Sequence, residues 1–101
     1  MFDIYIKIDN YSGYIDITLK KEPFKINFKQ KDVNRFLDHL GDLLKATKKE
    51  EFHQDSYSSI STSNGIVQIF IGNSYENSKL KLQNKEGIRL LEDMIEKIHE
   101  I

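Results

Sequence analysis

The chain has 101 residues, 39% of them hydrophobic and 31% charged, with a formal net charge of −1 and no cysteine. That length and mix provide for one modest core and exclude a wholly disordered chain. Without thiols there is no disulfide, thiolate zinc site or iron–sulfur cluster, and no apolar run is long enough for a membrane-spanning helix, so a cytoplasmic protein is the expectation.

The opening alternates Phe2, Ile4, Ile6 and Ile8 with Asp3, Tyr5, Lys7 and Asp9. A period of two reads as a strand, and the absence of a basic flank before an apolar run argues against a signal peptide. Asn10-Tyr11-Ser12-Gly13 turns the chain, and Ile15, Ile17 and Leu19 supply the inward positions of a second strand. Lys21-Glu22-Pro23 breaks it. Phe24, Ile26 and Phe28 then alternate with Lys25, Asn27 and Lys29 in a third strand. Here the period changes from two to 3.6, and Val33, Phe36, Leu37, Leu40 and Leu44 form the apolar stripe of a helix. Gly41 lies inside that helix, where glycine costs about 1 kcal/mol relative to alanine, so its missing side chain is expected to admit a neighbour where helices meet.

Residues 48–55 read as a charged connector. Strands follow near 56–63, 66–72 and 78–83, with Asn64-Gly65 as the strongest hairpin signal and a turn across 72–77. Asn84 is the expected N-cap of a closing helix whose stripe is Leu90, Leu91, Met94, Ile95 and Ile98.

The two halves repeat. At a constant offset of 54, residues 2–47 overlie 56–101 with the identities Ile6/Ile60, Asn10/Asn64, Ile15/Ile69, Ile17/Ile71, Glu22/Glu76, Lys25/Lys79, Lys31/Lys85, Arg35/Arg89 and Leu37/Leu91. The expectation is one α+β domain over 1–101, a pseudo-twofold duplication of a β-β-β-α unit in which antiparallel meanders carry helices on one face. The expected core joins Ile6, Ile15, Ile17, Ile26, Phe28, Phe36, Leu37 and Leu40 to Ile60, Ile69, Ile71, Leu80, Leu82, Leu91, Met94 and Ile98.

Charge separates by face. The outward strand positions gather Tyr5, Lys7, Tyr14, Lys20, Lys25, Lys29, Phe70, Lys79 and Lys81 against Asp3, Asp9 and Asp16, while the helices carry acidic ridges at Asp38, Asp42, Glu92, Glu96 and Glu100. A face of lysines and exposed aromatics, or the acidic ridge, suits a protein partner of an inhibitor, immunity or regulatory module. The alternative is single-stranded nucleic acid, with lysines on phosphates and aromatic rings under bases. In arrangement, such repeated strand-then-helix halves resemble the whirly and PUR single-strand-binding families, which place four strands in each repeat where three are counted here. A structural homodimer is the second alternative.

An enzyme is not expected. Glu96, His99 and Glu100 share one helical turn but lack complementary ligands, so no metal is assigned. The serine run from Ser56 to Ser63 has no glycine-framed elbow, and the glycines form no phosphate cradle, so no cofactor is assigned either.

Overall fold

A computed structural model describes residues 2–54, 58–71 and 79–101, except for the side chains of Phe24, Ile26, Phe28, Gln30, Ser58, Ser59, Ile60, Phe70, Ile71 and Lys79. The alternating opening forms β1 (Asp3–Ile8). Its loop is held by Asp9, whose Oδ1 accepts the N–H groups of Tyr11 at 2.9 Å and Ser12 at 3.4 Å. Gly13 sits at φ +75°, a left-handed conformation that favours glycine, and donates its N–H to the Asp9 carbonyl. β2 (Ile15–Lys21) returns antiparallel with Ile6 opposite Ile17, and a turn through the cis Glu22–Pro23 bond leads into β3 (Phe24–Gln30). The three strands form one sheet in the order β1-β2-β3.

The helix α1 (Val33–Lys49) starts at Asp32, whose carboxylate accepts the N–H groups of Asn34 and Arg35 as an N-cap should. It ends on Glu50 in the left-handed region at φ 56°. The expected connector 48–55 is thus corrected: α1 runs through Lys48 and Lys49, and His53–Gln54 pair with Ile60 and Ser59 as a short strand, β4. Two polar residues carry no alternation by which a sequence could reveal a strand.

β5 (Ser58–Ser63) and β6 (Ile66–Ile71) meet at the anticipated Asn64-Gly65 turn, both residues at positive φ, and β7 (Lys79–Gln83) completes a second antiparallel sheet in the order β4-β5-β6-β7. The expected strand start at 56 and the turn over 72–77 lie outside the described residues. α2 (Asn84–His99) follows β7 directly. Asn84 is the first residue of that helix and not its N-cap; Gln83 occupies the cap without a side-chain hydrogen bond. The Asn84 N–H donates instead to the Gly65 carbonyl at 2.9 Å, which ties the helix start to the β5–β6 turn.

Both sheets and both helices contribute to one hydrophobic cluster. Ile4, Ile15, Ile17 and Leu19 come from the first sheet, Val67, Ile69, Leu80 and Leu82 from the second, and Phe36, Leu40, Leu43, Leu90, Leu91, Met94 and Ile98 from the helices. Ile6 and Leu37, expected inside, are half-buried at its margin, whereas Ile26, Phe28, Ile60 and Ile71 lie outside the described side chains. The buried stripe of α1 is rotated from the expected one: it runs Phe36, Leu40, Leu43, Thr47, with Ala46 alongside. Thr47 tolerates full burial because its hydroxyl donates to the Leu43 carbonyl at 2.6 Å.

Each half thus runs strands first and helix last; among the described residues three strands precede α1 and four lie between α1 and α2. Their strand pairings differ. Ile6 faces Ile17, yet Ile60 faces Ile69, where the constant offset would put Ile71. Ile17 faces Phe28, yet Leu82 is faced by Val67. The first hairpin turns through the loop 9–14 and the second through two residues, so the second meander pairs in another register.

The expectation for Gly41 is also corrected. A Cβ built there meets nothing within 4 Å among the described residues. The glycine that admits a neighbour is Gly87 in α2, where a Cβ would lie 2.5 Å from Val67 Cγ1.

Candidate partner-binding face

With Ile15, Ile17 and Leu19 fully buried, the strand pleat drives the intervening side chains of the first sheet outward. The register arranges them in cross-strand rows: Asp3–Lys20–Lys25, Tyr5–Thr18–Asn27, and Lys7–Asp16–Lys29. Neighbours within a row stand about 5 Å apart and successive rows about 7 Å apart. Tyr5 is 57% exposed. Asn27 stitches the centre: its Nδ2 donates to Asp16 Oδ1 at 2.6 Å, to Thr18 Oγ1 at 2.9 Å and to the Ile17 carbonyl at 3.3 Å.

Five of the expected residues, Tyr5, Lys7, Lys20, Lys25 and Lys29, therefore share one face. Tyr14 is 41% exposed in the loop just before β2, where its carbonyl accepts the Asp9 N–H. The remaining three belong to the other sheet. Lys81 stands in the row Ser61–Gln68–Lys81, among neutral polar groups. Phe70 and Lys79 face each other across β6 and β7, but their side chains lie outside the description. The second sheet's next row, Ser63–Ile66–Gln83, is uncharged as well.

Lys20 Nζ lies 3.7 Å from Glu22, and Lys21 Nζ lies 3.4 Å from Glu86 of α2 and 5.5 Å from the Phe2 ring centre. Among the described residues, no ion pair occupies Lys7, Lys25 or Lys29. Asp9 ionises below the ordinary carboxylate range, because the Ser12 side chain and the Tyr11 and Ser12 N–H groups hydrogen-bond its carboxylate.

The acidic ridges are exposed on both helices, at Asp38 and Asp42 of α1 and at Glu92 and Glu96 of α2 with Glu100 at its C-cap. The α2 ridge runs up to the basic face: a shallow groove is lined by Asp3 and Tyr5 on one side and by Asp93, Glu96, Lys97 and Glu100 on the other. Tyr5 thus stands where the two charge regions meet. Sequence reasoning missed Asn27 and Thr18 as the polar centre of the face; the signal available was a short polar side chain opposite an acid in an alternating strand. Among the described residues no set of three histidine or carboxylate side chains is placed to hold a metal ion, and no helix is long and apolar enough to cross a membrane.

No protein-family model, curated protein or solved structure matches the chain.

Proposed function

We propose that the protein is a non-enzymatic binding module, of the inhibitor, immunity or regulatory kind, that holds a protein partner on the outer face of its first sheet. The observation that carries this reading is the row arrangement itself: acidic and basic side chains share one face with an exposed tyrosine on its β1 side, next to the acidic ridge of α2. A tyrosine covered by a partner gives a large, rigid anchor, and neighbouring lysines set orientation and association rate. Asp16 stands between Lys7 and Lys29, and Asp3 stands beside Lys20 at the end of its row, which fits a partner surface carrying both signs; a phosphate chain would meet those carboxylates as repulsion.

The test is affinity capture from native lysate followed by titration of the captured protein. Tyr5→Ala should weaken binding at least tenfold, chiefly through faster dissociation, while Lys7→Ala should mainly slow association. Single-stranded oligonucleotides provide the opposing arm. If they shift the protein's mobility at low salt, and that shift fades steeply as salt rises, the face belongs to nucleic acid and the protein-partner reading fails.

A further inference from the structure

We propose that β3 takes up an extended acidic segment of the partner as an added strand, an inference that rests on the protein-partner reading and names that partner's chemistry. The first sheet has two edges. Along β1 lies α2, and Lys97 Nζ donates to the Ile4 carbonyl at 3.3 Å. Along the other edge, β3, no described strand pairs. Seven residues of edge, about 23 Å, present outward-directed N–H and C=O groups that a further strand would satisfy.

Charge decides which strand fits. The outer positions of β3 are Lys25, Asn27 and Lys29. The row Lys7–Asp16–Lys29 already alternates in sign, so a carboxylate beside Lys29 continues the pattern. In the row Asp3–Lys20–Lys25, two lysines stand side by side, and a carboxylate beside Lys25 supplies the missing opposite charge. The fitting segment therefore carries acid, neutral polar and acid at alternate positions, with apolar residues between them on the core side. A second copy of this chain fits poorly: antiparallel pairing of β3 with itself about Asn27 sets Lys25 opposite Lys29. Nucleic acid lacks the peptide ladder an edge requires.

The test uses the full chain and a synthetic heptapeptide with glutamate at positions two and six, asparagine at four, and valine or threonine elsewhere. Amide exchange followed by NMR should slow at β3 on peptide addition and stay unchanged at β1. The double variant Lys25→Glu with Lys29→Glu should lose at least tenfold in affinity for this peptide and recover it for a peptide with lysine at the two glutamate positions. Backbone N-methylation of the peptide should abolish binding. Peptide that binds equally well when N-methylated, with no slowing at β3, would place the segment across the face and overturn the added strand while leaving the binding module standing. Absence of any peptide binding, with Tyr5-dependent capture of a partner intact, would likewise overturn the added strand alone. A dimer by light scattering whose β3 amides are already protected would give the edge to a second copy and overturn the proposal.

Discussion

The two halves of the molecule each close an antiparallel meander with a helix, by different means, and the contrast is clearest in their helices. α1 begins on its own side-chain cap, Asp32, and carries a glycine with open space around it; α2 begins without a side-chain cap and carries a glycine pressed against β6. One helix start is fixed locally and the other by tertiary contact, through Gly87 on Val67 and the Asn84 N–H on the Gly65 carbonyl. A shared hydrophobic rhythm thus specifies which elements form without specifying what holds each in place. The outer faces diverge in the same way, with charged rows around Tyr5 on the first sheet and serine, glutamine and one described lysine on the second.

The strongest way to break the comparison is at Leu37 and Leu91, identical residues at the constant offset. Leu91 is fully buried and Leu37 half-buried at the core margin. Leu91→Ala should cost about 2–5 kcal/mol in denaturant unfolding, because it leaves a cavity in a close-packed interior. Leu37→Ala should cost clearly less, since its site can relax toward solvent. Equal losses would mean that the halves are energetically equivalent copies.

The glycines sharpen the contrast at the next scale. Gly87→Ala puts a methyl group 2.5 Å from Val67 Cγ1, so the Val67 side chain or the helix must shift. A loss of about 1–3 kcal/mol is expected from overpacking. Gly41→Ala meets nothing and should stabilise the protein by up to about 1 kcal/mol through helix propensity. Opposite signs in thermal unfolding are the readout, and a destabilising Gly41→Ala would contradict the open surroundings.

How much of this was legible beforehand follows from what each signal encodes. Alternation in Ile15, Ile17 and Leu19 identifies a strand and its buried face, and Asn64-Gly65 identifies a turn because both residues tolerate positive φ. Register is different. The pairing differences between the meanders are even numbers of residues, so every side chain stays on its own face and alternation cannot report them. Thr47 and Ala46 escaped because a hydroxyl and a single methyl do not read as core; Thr47 is buried only by virtue of its bond to Leu43. For the binding face, β3 and β1 could be matched to β2 by their short turns, but nothing in the chain placed Lys81 on a separate sheet.

The caps offer a smaller test. Asp32→Ala removes the acceptor for two N–H groups at the start of α1 and should cost about 0.5–2 kcal/mol. Gln83→Ala at the start of α2 removes no cap bond and should change stability little. If both variants lose the same amount, the second helix has a cap role for Gln83 that its geometry does not display.

The smallest effect distinguishes the two hairpin turns by acid. In the first, Asp9 accepts hydrogen bonds from Ser12 and from the Tyr11 and Ser12 N–H groups, which lowers its pKa from the ordinary 3.8. A carboxyl depressed in the folded state contributes stability that is present above its unfolded pKa and is lost as pH falls through the folded value. The window therefore lies below about pH 4, and near neutrality the contribution is complete. The second turn, Asn64-Gly65, contains no carboxylate and is shaped by positive φ and by the Asn84 N–H on the Gly65 carbonyl. On lowering pH from 5 to 2, the Tyr11 and Ser12 amide resonances should move together with a midpoint below 3.8, while those of Asn64 and Gly65 hold still. Asp9→Asn keeps one acceptor oxygen and removes the titration, so it should flatten the acid response of Tyr11 and Ser12 without unmaking the turn. A midpoint at or above 3.8, or equal movement in both turns, would show that the carboxylate does not organise the first loop and that the two hairpins are held alike.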